Sequence, residues 1–89
     1  MNYPHYFTPN GDGINDTWYI PGLKIYQPNS EIYIFDRHER LIKQIIPSSE
    51  GWDGTYNDQP LPSTDYWFTV RFIENGVEKM FKSHFSLRR

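Results

Sequence analysis

Oxygen-bearing side chains crowd into one short stretch, Phe7-Thr8-Pro9-Asn10-Gly11-Asp12-Gly13-Ile14-Asn15-Asp16-Thr17-Trp18. Asn10, Asp12, Asn15 and Asp16, with the backbone carbonyl of Ile14, match part of the ligand set of a calcium loop, in which alternate oxygens surround a hard cation. The register fits imperfectly. Counting from Asn10, the fifth position is Ile14 where an oxygen side chain is wanted, and the sixth is Asn15 where glycine is wanted; no bidentate Glu closes the twelfth. The same residues suit a compact turn in which Asn and Asp side chains accept bonds from nearby backbone amides. The turn is the preferred reading, calcium the alternative, and no other cofactor is expected. Asp53, Asn57 and Asp58 pose the same question more weakly, because the usual task of the Asp in a Trp-Asp-Gly turn is to hold backbone amides while the indole, here Trp52, packs beneath.

Other chemistry finds little support. His5, His38 and His84 fall in three separate segments with no His-x-His or His-Glu-x-x-His spacing, which argues against zinc. Ser48, Ser49 and Ser63 sit beside Pro or Ser in loops, outside any nucleophile elbow. Asp53 and Asp58 have the residue types for acid and base in glycoside hydrolysis, but so small a domain has little room for a deep cleft, and no enzyme is expected. Trp18, Tyr19, Trp52, Tyr56 and Trp67 supply the rings of a sugar-stacking face, so a carbohydrate-binding or adhesive β-sandwich module stands as the alternative function. An exposed row of at least three aromatics would favour it; a buried set would not.

Eighty-nine residues suffice for one domain, read as residues 1–89, and not for two independent cores. Three Trp, seven Tyr and six Phe each bury a large area, so the chain can fold without staples. The absence of cysteine removes disulfides, thiolate metal sites and cysteine nucleophiles together. A net charge of −2 and a pI near 5.8 give no overall basic field for nucleic acid or an anionic membrane. Charge is uneven, however: Arg71, Lys79, Lys82, Arg88 and Arg89 crowd the last stretch against Glu74 and Glu78. No apolar run approaches the roughly 18 residues of a membrane span, and Met1-Asn2-Tyr3-Pro4-His5 lacks the basic start and apolar stretch of a signal peptide. A role outside the cell would therefore make this chain a fragment of a larger secreted or surface protein.

The elements that must position these residues read as strands. Seven Pro and six Gly punctuate stretches filled with β-branched and aromatic residues. Strands are expected at Tyr3–Thr8, Thr17–Ile20, Glu31–Asp36, Arg40–Ile46, Thr64–Ile73 and Val77–Leu87, with residues 23–30 and 48–58 as connections. Tyr66, Phe68, Val70 and Phe72 alternate onto one face, as do Phe81, Phe85 and Leu87, opposite Lys82 and His84. Asn75-Gly76 is a type I′ hairpin turn signal. About seven short strands predict an all-β fold, an antiparallel, immunoglobulin-like β-sandwich.

The runs FTPNGDGINDTW, IPGL, IYIFDR, GWDGTYND, LPSTDYWFTV and HFSLRR, in that order over nearly the whole chain, resemble the gliding motility-associated C-terminal domain, also called the type B sorting domain of the type IX secretion system. One block departs: after the Arg of IFDR the family usually carries an aromatic-Gly pair, and this chain has His38-Glu39, which bears on the local turn. The resemblance implies a non-catalytic C-terminal module of a larger protein, read by the type IX machinery at the outer membrane and delivering its carrier outside the cell. If the closing strand is the recognised face, Lys82, His84, Arg88 and Arg89 are its expected partner-binding residues, dispensable for folding. Edge strands offer a route to self-association.

Overall fold

The structure is a computed structural model that describes residues 2–89. Seven strands and one helical turn follow in the order β1 (Tyr6–Phe7), α1 (Leu23–Tyr26), β2 (Glu31–Phe35), β3 (Leu41–Ile45), β4 (Thr55–Tyr56), β5 (Gln59–Pro60), β6 (Asp65–Glu74) and β7 (Val77–Leu87). Five of them make one sheet in the order β1-β7-β6-β2-β3, and β4-β5 make a second, two-stranded sheet.

The frame is the β6–β7 hairpin. Asn75 and Gly76 adopt φ of 53° and 76°, the positive pair that a two-residue type I′ turn requires, and pairing runs unbroken from Glu74↔Val77 to Asp65↔Ser86. Tyr66, Phe68 and Val70 are buried, as are Phe85 and Leu87, so both strands turn their apolar set to one face. β2 lies between β6 and β3, with Ile32 and Ile34 inward. β3 alternates poorly because the register shifts between Ile34↔Lys43 and Phe35↔Leu41, leaving Ile42 as an extra residue. The bulge lets Ile42 and Ile45, three apart, both reach the core.

The sandwich-like fold has unequal layers. Over the inner face of the five-stranded sheet lie Trp18 and Trp52, both completely buried and joined by a single bridge with Trp18 N–H to Trp52 O at 2.8 Å and the reciprocal bond at 2.9 Å. The Trp18 indole stacks on Phe85 at 4.0 Å and 9°, while Trp52 meets Tyr66 edge-on at 5.1 Å. Each indole N–H has a partner, Pro4 O at 2.8 Å and Thr55 O at 2.9 Å, as burial of that donor demands.

Three expectations need correction. The strand expected over Thr17–Ile20 is one bridge, because Pro21 supplies no N–H beyond it and the paired segment at Trp52 turns away at once. The strand expected over Tyr3–Thr8 contracts to Tyr6–Phe7 and pairs with β7 in parallel, so the large sheet is mixed. The connection at 48–58 contains β4, whose hairpin to β5 turns through Asn57 and Asp58 at φ of 51° and 65°. A second type I′ turn thus uses residues read as oxygen donors.

Candidate functional site

In the loop 10–16 the side-chain oxygens bind the loop's own backbone. Asp16 accepts from three amides, with Oδ1 to the N–H of Asn10 (3.2 Å) and Gly11 (3.0 Å) and Oδ2 to that of Gly13 (2.7 Å). Asn10 Oδ1 accepts from the Asp12 N–H at 3.2 Å, and Asp12 Oδ1 from that of Ile14 at 2.8 Å. Asn15 sits at φ 53° with its carbonyl bonded to the Thr8 N–H at 2.8 Å, and the Ile14 side chain is exposed. These are consecutive Asx turns. Among the described residues no group of three or more His, Asp or Glu gathers as a metal site. Asp53 behaves alike, its Oδ1 accepting from the Thr55 N–H at 3.1 Å and hydroxyl at 2.7 Å.

The Gly51-Trp52-Asp53-Gly54 block is a joint. A Cβ on Gly51 would lie 2.6 Å from the Trp18 carbonyl oxygen, so only glycine lets the two tryptophan backbones pair. A Cβ on Gly54 would lie 2.9 Å from Leu87 Cδ1 and 3.2 Å from Arg89 Nη2. Arg89 reaches this joint because it continues the inward set Phe85, Leu87 past the end of β7. Its guanidinium donates to three carbonyls, with Nε to Leu61 O (3.0 Å), Nη2 to Gly54 O (3.0 Å) and Nη1 to Pro9 O (3.3 Å). Its backbone N–H donates to Ser63 Oγ at 3.0 Å. Arg89 was expected outward beside Lys82, His84 and Arg88; the alternation of β7 places it on the opposite face, where it ties three loops together.

Lys82, His84 and Arg88 do share a face, the outer one. Pairing sets Lys82 beside Thr69 and His84 beside Trp67, with the two rings of the latter pair 6.4 Å apart. Arg88 lies over the Tyr6 ring at 4.6 Å. The acids of this face are engaged. Glu31 pairs with Arg71 and accepts from the Tyr33 hydroxyl at 2.6 Å and Gln44 Nε2 at 2.8 Å. Those Tyr33 and Arg71 bonds, in that order, hold its carboxyl below the usual carboxylate range, and the same carboxylate pushes the Tyr33 phenol up. Glu78 lies 3.7 Å from Arg71, and Asp65 accepts from the Ser86 hydroxyl at 2.6 Å. Lys82 and Arg88 have no ion-pair partner among the described residues.

The turn carrying the departure from the family pattern, 36–40, forms all the same. Asp36 Oδ1 accepts from the N–H groups of His38 and Arg40, each at 2.9 Å, and Glu39 takes φ 63°, the conformation that a glycine there would adopt without strain. The Arg40 amide chiefly, then that of His38 and the Arg40 charge, hold the Asp36 carboxyl below its usual range against desolvation.

The rings proposed for sugar stacking do not line up. Trp18 and Trp52 are core, and only Tyr19 and Trp67 of the five are among the exposed large side chains. What the fold presents is a small mostly-β module with an open sheet face and a set of tightly held loops. The model of one family, the CHU_C Type IX secretion signal domain, matches residues 1–87, and the chain belongs to that family. No curated protein matches, and no solved structure does. The chain is thus a sorting signal for type IX secretion, and it marks its carrier for export.

Proposed function

We propose that this chain is a non-catalytic signal read in its folded state, which delivers a larger protein across the outer membrane to the cell surface or beyond. The observation carrying this reading is the family match over residues 1–87, in a chain whose oxygen-rich and glycine-rich blocks serve its own architecture: loop 10–16 turns its Asn and Asp oxygens onto five of its own amides, and the 51–54 joint seats the tryptophans and Arg89. What is left for a partner is surface. The outward residues Lys82 and His84 on β7 and Arg88 just past it are proposed as the residues that the type IX machinery meets, and rim charges such as those of Lys82 and Arg88 act mainly on encounter rate and specificity.

The test is a reporter fused behind a signal peptide and ahead of these 89 residues, expressed in a type IX-competent bacterium and in the same strain without the machinery. Surface delivery that needs both the domain and the machinery is expected. Gly51→Val, which drives a side chain into the Trp18 carbonyl, is expected to unfold the domain and abolish delivery. Delivery of an unfolded Gly51→Val fusion at the wild-type level would refute a signal read in its folded state.

A further inference from the structure

We propose that the outer face of the five-stranded sheet is a docking platform for an acidic protein surface with an apolar centre, and that Trp67 is its anchor; this rests on the sorting reading above. Strand pairing puts His84, Trp67, Phe35 and Leu41 side by side in one row across β7, β6, β2 and β3. Three of its four members are apolar, and the core that Trp18 and Trp52 complete lies on the opposite face, so core packing gives no account of the row. Trp67 is 41% and Leu41 47% exposed.

The charge pattern names the occupant. Among the described residues, Glu31 and Glu78 of this face pair with Arg71, and Asp65 accepts from the neutral Ser86 hydroxyl at the edge beyond the row. The cations flanking the row, Lys82 and Arg88, have no carboxylate partner among the described residues. Field and hydrophobic row together fit a polypeptide carrying Asp or Glu around an apolar patch. A neutral sugar fits less well, since Leu41 is aliphatic, Phe35 is half-buried and Trp67 is the one large aromatic of the row among the exposed side chains. A second copy fits less well too, because two such faces would bring unpaired cations against each other. With strands about 4.8 Å apart and residues about 3.3 Å apart along them, two long strands, two of five residues and one of two give a face of about 500 Å². That is somewhat below the roughly 800 Å² per partner of a standard stable interface and suits a transient export contact.

The reporter fusion tests this with five variants whose melting temperatures are measured alongside. Trp67→Ala is expected to cut surface delivery at least tenfold while the domain stays folded, and Trp67→Phe to restore most of it. Lys82→Glu with Arg88→Glu is expected to cut delivery severalfold, and Lys82→Gln with Arg88→Gln less. Tyr26→Ala, in an exposed residue of α1, is expected to change nothing. Failure of the wild-type fusion to reach the surface would sink the sorting reading itself. Wild-type delivery with an undiminished Trp67→Ala fusion would overturn only the platform. Charge reversal without effect would overturn the acidic partner, and so would charge-dependent binding of the purified domain to phosphatidylglycerol vesicles. Concentration-dependent dimerisation abolished by Trp67→Ala would assign the face to a second copy instead.

Discussion

Replacing Arg89 by Met keeps most of the aliphatic stem and removes three donors at once, those to Leu61 O, Gly54 O and Pro9 O. A hydrogen bond from a charged group contributes about 1.5–3 kcal/mol net when sheltered. Only the Gly54 contact is partly buried, whereas the other two are exposed and the Pro9 one is long at 3.3 Å. Taking about 1.5 kcal/mol for the first and about 0.5 kcal/mol for each of the others, less some side-chain entropy regained on release, the expected loss is about 2 kcal/mol. At about 4–8 °C per kcal/mol for a domain of this size, Tm should fall by about 8–16 °C. Arg89→Lys, which keeps the charge but not the planar fork, should lose about half as much. Because the partners are neutral carbonyls, the deficit should persist at about 1 M salt, where the screening length is only about 3 Å. Thermal and urea melts of the 89-residue domain measure all of this. A Tm within about 2 °C of wild type for Arg89→Met, or a deficit that vanishes with salt, would refute the latch.

Glu39→Gly should raise stability by about 1 kcal/mol, since it relieves a non-glycine residue at φ 63°; an unchanged or lower urea midpoint would count against that strain. Asp16→Ala strips the acceptor from three amides and should cost about 1–3 kcal/mol, equally with calcium or with a chelator; a calcium-dependent rise in wild-type Tm that this variant abolishes would make loop 10–16 a cation site. Asp36, held below its usual range when folded, contributes stability in full above the ordinary carboxylate pKa of about 4 and loses it as pH falls further, so acid melts of Asp36→Asn should converge on wild type at low pH. Gly76→Val should destabilise by more than about 1 kcal/mol, because a β-branched residue holds φ 76° at high cost; a native melting curve would contradict the turn.

What the sequence alone determined is what neighbouring residues decide between themselves. Alternation in Tyr66–Phe72 and a two-residue Asn75-Gly76 turn specify the β6–β7 hairpin and its buried face, since side chains two apart share a side and the turn sets the register. The Asx-turn character of loop 10–16 was legible for the same reason. Asn57-Asp58 carried the signal of a second hairpin, but its chemistry also suits a ligand loop, and strands of two residues leave no alternation to read. The inward turn of Arg89 was likewise implicit in Phe85 and Leu87; only its partners were hidden. Pro9, Gly54 and Leu61 lie 80, 35 and 28 residues away from it, just as Trp18 and Trp52 are far apart in the chain yet pair. Contacts of that kind exist only after the sheet has closed, because no local preference of either partner favours the other until the inner face they share has formed. The outer row His84-Trp67-Phe35-Leu41 belongs with them, since four strands must come into register before its side chains become one surface.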